Sequence, residues 1–105
     1  MTTKYDDRDM TRDKAQSILA ECRRKIDAVD LRILDLLNER TRIVEIIGQA
    51  KQQLALPVYE PKREDEVFRN LLDHNSGPLP PDSVKRIFER VIDEMRTLQK
   101  MKVRK

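Results

Sequence analysis

The sequence predicts an all-α fold of three helices, long, short and medium, paired as a homodimer. Three observations carry this. Charged residues make up 39% of the 105 and apolar ones 38%, while aromatics are only 4%, with two Gly and no Trp. Sheet folds draw on aromatic and β-branched runs with frequent Gly turns, so a sandwich or barrel is disfavoured. Residues 15–56 then run without Pro and with a single Gly. Finally, apolar residues recur at steps of three and four in each stretch between Pro-rich breaks.

Residues 1–13 are polar, lack periodicity and are expected to be flexible. A helix follows over about 15–54. Its seam is Cys22, Ile26, Val29, Ile33 and Leu36, then Arg40, Ile43, Ile47, Ala50 and Leu54. Such a helix spans roughly 60 Å, whereas a compact chain of this size has a radius of gyration near about 13 Å. Much of the seam would stay in water unless a second chain covered it, which predicts a two-fold dimer. Pro57 ends the helix, and Pro57-Val58-Tyr59-Glu60-Pro61 connects it to the next. Pro61 suits a first helical position, where its missing N–H is not needed. The second helix covers about 61–74, with Val67, Phe68, Leu71 and Leu72 on its apolar face. Residues 75–81 are a loop rich in Pro. The third helix covers about 81–100 on a stripe from Val84 to Leu98, followed by a basic tail, 102–105. The helical domain is thus expected over 14–101.

Composition excludes several classes. Cys22 and His74 are single, so an internal disulfide and a Cys- or His-cluster metal site are out. No apolar run reaches the roughly 20 residues of a membrane span, and the first residues lack a signal-peptide pattern. A cytoplasmic chain without membrane contact is expected. The net charge is +3, but 22 basic and 19 acidic residues are interspersed as on a solvated helical surface. Nucleic acid is therefore not expected as a partner.

Polar residues that interrupt the apolar pattern are the functional candidates. Arg40 occupies a seam position between Leu36 and Ile43. Lys51 lies eleven residues later, about three turns and roughly 16 Å along the same face. Arg63 and Glu64 precede Val67 and Phe68 by four, and Gln99 follows Met95 by four. A buried charge costs several kcal/mol unless paired. One explanation is a structural salt bridge, with Arg40 or Lys51 meeting Glu64. The other is a cavity for an anionic guest carrying one or two carboxylates, an oxygen acceptor and a hydroxyl. Several cations, one carboxylate and one amide from three helices exceed what helix register requires. Arg23 lies about 25 Å from Arg40 along one helix and could join such a site only from an antiparallel partner. By itself it reads as a solvated Arg beside Arg24 and Lys25.

These residues resemble the all-helical (AroQ-class) chorismate mutases over about residues 20–100. The resemblance is carried by Arg23-Arg24-Lys25-Ile26-Asp27-Ala28-Val29-Asp30, Leu36-Leu37-Asn38-Glu39-Arg40, Ile47-Gly48-Gln49-Ala50-Lys51 and Pro57 through Glu64. It implies three helices per chain in an intertwined homodimer with shared active sites. It implies rearrangement of chorismate to prephenate, on the route to phenylalanine and tyrosine, with no metal and no cofactor. Position by position, Arg40 and Arg23 of the partner subunit would each hold a substrate carboxylate. Lys51 and Gln99 would donate to the ether oxygen of the breaking bond. Glu64, helped by the connector at Glu60, would accept from the ring hydroxyl, and Arg63 would support the enolpyruvyl carboxylate. Two positions depart from some relatives: Glu60, where a shorter acid occurs, and Met95, where a small hydroxyl residue occurs. The alternatives are an isochorismate pyruvate-lyase on the same scaffold, or a weakly active dimerisation module that binds a partner enzyme of the aromatic pathway. The two chain ends are candidates for such contacts.

Overall fold

The computed structural model describes residues 11–103 and contains three helices: α1 (Arg12–Gln53), α2 (Pro61–His74) and α3 (Pro81–Val103). Among the described residues there is no strand. The chain divides into two units, residues 1–39 and 40–105, with the boundary inside α1.

α1 begins three residues before the periodicity predicts. Thr11 caps it: its Oγ1 accepts from the Lys14 N–H at 3.2 Å, and its carbonyl accepts from the Ala15 N–H at 2.8 Å. Asp13 complements the positive end of the helix dipole. This first turn has no apolar residue, so only cap chemistry marks it. The expected flexible segment 1–13 is thereby shortened at its end, and residues 1–10 lie outside the described residues.

α1 stops before Pro57 is reached. Leu56 N–H donates to the Lys51 carbonyl at 2.8 Å and Ala55 N–H to the Gln52 carbonyl at 3.2 Å. Ala55 has φ 54°, in the left-handed region. This is a Schellman ending with Ala where Gly is usual.

α2 starts at Pro61, as expected, and Glu60 precedes it without a side-chain cap. At the other end His74 Nδ1 lies 2.8 Å from the Asn70 carbonyl, a C-terminal contact of the kind its position suggests. In the following loop Asn75 Oδ1 accepts from Gly77 N–H at 3.0 Å, and Asn75 Nδ2 donates to the Leu79 carbonyl at 2.8 Å. The Pro80 carbonyl then accepts from Ser83 and Val84 N–H groups and opens α3. α3 continues to Val103, past the expected end near 100. Residues 104 and 105 of the expected basic tail lie outside the described residues.

The core of the 40–105 unit is small: Val44 of α1 with Val84, Ile92 and Met95 of α3. Val67, Phe68 and Leu71 of α2 are half-buried, whereas Leu72, Ile87 and Leu98, placed on apolar stripes by periodicity, are exposed. Thr41 Oγ1 donates to Met95 Sδ at 3.5 Å, which fixes the first turn of this unit against α3. In the 1–39 unit Cys22 and Val29 are half-buried, and Leu19, Ile26, Leu31, Ile33, Leu34 and Leu36 are exposed. Among the described residues no helix is long and apolar enough to cross a membrane.

Candidate active site

A cavity of about 400 Å³ lies in the 40–105 unit. α1 contributes Arg40, Ile43, Val44, Ile47 and Lys51, and the connector contributes Val58 and Glu60. From α2 come Arg63, Glu64 and Val67, and from α3 Ile92, Met95, Arg96 and Gln99. Aliphatic side chains form much of the wall, and polar groups converge on it from all three helices. Six of the seven residues singled out from the sequence therefore meet here. The seventh, Arg23, is exposed in the other unit.

Four cations and two carboxylates line the cavity, an excess of two positive charges. The pairs differ from the structural salt bridge considered above. Lys51 Nζ meets Glu60 Oε1 at 2.8 Å and also donates to the Val58 carbonyl at 2.8 Å. Its side chain is only 12% exposed. Glu64 takes neither Arg40 nor Lys51. Both of its oxygens accept from Arg96 Nη2, at 2.7 and 2.6 Å. The connector explains the first result, because it turns back over the last turn of α1 and presents Val58 and Glu60 to Lys51. Glu60 is drawn to that ammonium, which accounts for its missing cap on α2.

Arg40 has no ion pair among the described residues. Burial holds its guanidinium below the ordinary value, and the neighbouring positive charge of Arg63 acts in the same direction. A bound anion would offset both effects. Arg63 also meets Glu66 at 3.6 Å on an exposed face. Gln99 is half-buried, and its Oε1 is buried without a hydrogen-bond partner. Its Cγ packs beside Gly48 of α1, 3.7 Å from where a Cβ there would stand, an ordinary contact distance.

Arg96 is the residue that sequence reasoning missed. It follows Ile92 by four and precedes Gln99 by three, so its place on the cavity face was readable from helical spacing. Among so many charged residues on α3 it did not stand out. Its guanidinium lies 4.8 Å from the Tyr59 ring centroid, and Nη1 meets Asp93 at 3.3 Å. Its basicity is raised, first by the hydrogen bond to Glu64.

This arrangement is chemically suited to a small molecule with two anionic groups. It offers an uncompensated guanidinium, a fixed ammonium, an amide and oriented carboxylates. Among the described residues no group of three or more His, Cys, Asp or Glu is placed to hold a metal ion.

Comparisons with known proteins agree with the resemblance. The family model for chorismate mutase type II matches residues 22–100. A bifunctional chorismate mutase/prephenate dehydratase of Neisseria gonorrhoeae is 46% identical over 77 residues, covering 73% of this chain and 21% of that protein. The chain spans less than a quarter of the length of such bifunctional relatives. A chorismate mutase of Methanocaldococcus jannaschii is 34% identical over 90 residues, 78% of this chain and 84% of that one. Among solved structures, a Helicobacter pylori chorismate mutase in complex with prephenate superposes with a TM-score of 0.79 at 30% identity. That match covers 85% of this chain and 97% of the other. By the extent of the family match and by these relatives, the chain belongs to the chorismate mutase type II family of enzymes.

Proposed function

We propose that this chain rearranges chorismate to prephenate, in the cytoplasm, with residues 14–101 as the catalytic domain. The observation that carries the reading is Arg40: a half-buried guanidinium with no ion pair among the described residues, in a cavity with two surplus positive charges. Chorismate is a dianion, and the superposed Helicobacter pylori enzyme is in complex with prephenate.

The chemistry suits these side chains. The rearrangement breaks a C–O bond and forms a C–C bond within one molecule, without a nucleophile or a proton transfer. Catalysis then rests on two contributions. Carboxylate clamps hold the folded conformer in which the reacting carbons approach. Fixed donors stabilise the negative charge that grows on the ether oxygen. In this reading Arg40 holds one carboxylate, supported by Arg63, and Lys51 and the Gln99 amide donate to the ether oxygen. Lys51 is held by Val58 and Glu60 at 2.8 Å each, so little reorganisation is needed when the charge develops. Glu64 accepts from the ring hydroxyl. The second carboxylate falls to Arg23 of the partner subunit.

A homodimer follows in the same reading. The exposed side chains of Ile26, Ile33 and Leu36 form a seam in the 1–39 unit, and a second copy supplies the same apolar face in return. The related bifunctional proteins, by name, also act on prephenate, which supports a pathway enzyme as a further partner. The named relatives favour the mutase over an isochorismate lyase.

The test is turnover by the purified chain, followed as loss of chorismate absorbance with identification of the product. Prephenate is expected, and Lys51→Ala should lower kcat about 100-fold or more with helix content retained. Near-normal turnover by that variant would remove Lys51 from its role. Salicylate and pyruvate formed from isochorismate, with little prephenate from chorismate, would replace the mutase by the lyase.

A further inference from the structure

We propose that Arg96 is a positioning residue of this site, one that aims the Glu64 carboxylate at the substrate hydroxyl. The inference rests on the mutase reading above. A single nitrogen, Nη2, straddles both Glu64 oxygens at 2.7 and 2.6 Å. The two side chains are 25% and 23% exposed, so water competes only partly for the contact. The other end of the guanidinium is fixed as well. Nη1 meets Asp93 at 3.3 Å, and the plane lies over the Tyr59 ring at 4.8 Å. One side chain of α3 therefore ties down the first turn of α2 and the connector before it.

The remaining hydrogen-bonding capacity decides how Arg96 acts. A carboxylate offers about four acceptor sites, and Nη2 occupies one on each oxygen. Acceptor sites remain for a hydroxyl, with their direction set by the guanidinium. The N–H groups of Arg96 are turned away from a ligand: Nη2 donates to Glu64 and Nη1 to Asp93, and Nε is buried out of a ligand's reach. The effect of Arg96 on substrate therefore passes through Glu64. The contact to a ring hydroxyl exists in the ground state and in the transition state alike, so its loss should appear in KM rather than in kcat.

The experiment is steady-state kinetics on chorismate with the purified chain and the variants Arg96→Gln, Arg96→Lys, Glu64→Gln and the double variant Arg96→Gln/Glu64→Gln. Arg96→Gln should raise KM about tenfold and change kcat by less than about threefold. Arg96→Lys keeps a charge near Glu64 and should recover part of that loss. In the Glu64→Gln background, Arg96→Gln should change KM by less than about twofold, because no anion remains to be aimed. A folded Arg96→Gln variant with wild-type KM would overturn the inference, and so would losses that simply multiply. A lowered Tm with unchanged KM would make Arg96 a purely structural tie. Should Arg96→Gln fail to fold, Arg96→Lys takes its place in the same cycle, where multiplying losses again overturn the role. Absence of turnover by the wild-type chain would remove the mutase reading and this inference together, whereas wild-type turnover with an insensitive Arg96 removes the inference alone.

Discussion

The two stretches of α1 on either side of residue 40 share one apolar rhythm and meet opposite fates. In the 1–39 unit the seam residues Ile26, Ile33 and Leu36 are 57%, 48% and 63% exposed. In the 40–105 unit the same rhythm buries Val44 against α3 and lines a cavity with Ile43 and Ile47. Periodicity reports which face of a helix is apolar. It does not report what covers that face. One stretch is partly covered by its own chain, and the other is exposed in it, where the proposed dimer would bury it.

The strongest way to break this comparison is to charge the uncovered stretch. Ile33→Glu with Leu36→Glu should disrupt the proposed dimer. Each lost apolar side chain removes about 1.5–3 kcal/mol of burial, and two-fold symmetry counts each twice. The dimer should weaken more than about 1000-fold, measured by analytical ultracentrifugation across a concentration series. Turnover should fall with it, because the proposed site borrows Arg23 of the partner subunit. An unchanged sedimentation profile would mean that the seam is not the interface.

Within the other stretch, Arg40 stands where an apolar residue would pack. Its burial and the like charge of Arg63 both weigh against the charged form. Arg40→Ala should therefore lower kcat/KM by about 100-fold while leaving Tm unchanged or higher. Kinetics and a thermal melt on the same preparation check both halves. This is the signature of a group kept for its ligand at the expense of packing. A clear drop in Tm would instead show that an internal partner holds Arg40.

Much of this was legible in the sequence, for identifiable reasons. The three helices follow from uninterrupted periodicity and from Pro at 57, 61 and 81. Five site residues, Arg40, Lys51, Arg63, Glu64 and Gln99, were visible because each lies on or beside an apolar stripe of its helix, whereas Glu60, in the connector, was reached only through the family resemblance. What the sequence could not show was pairing. Whether Glu64 meets Lys51, Arg40 or Arg96 depends on how the connector turns, and Glu60 reaches Lys51 first. Arg96 escaped notice because it stands at the edge of the α3 apolar stripe, beside the helix's many charged residues. The start of α1 was misplaced for a related reason, since a helix turn without apolar residues has no period to read and is set by the Thr11 cap.

The smallest change sharpens the comparison by touching neither the seam nor the cavity wall. Ala55 holds φ 54° at the end of α1, a conformation that costs an L-residue about 1–2 kcal/mol. Glycine adopts it freely but loses more backbone entropy on folding. Ala55→Gly should then stabilise the chain by about 1 kcal/mol at most, read as a rise of a few degrees in Tm. The local hydrogen bonds need no side chain at residue 55: Leu56 N–H still reaches the Lys51 carbonyl, at 2.8 Å in the parent. The connector should therefore continue to deliver Val58 and Glu60 to the Lys51 ammonium, and kcat should stay within about twofold. A gain in Tm with a marked loss of kcat would show that Ala55 stiffens the connector for catalysis. Strain at the helix end would then belong to the site as much as its charges do.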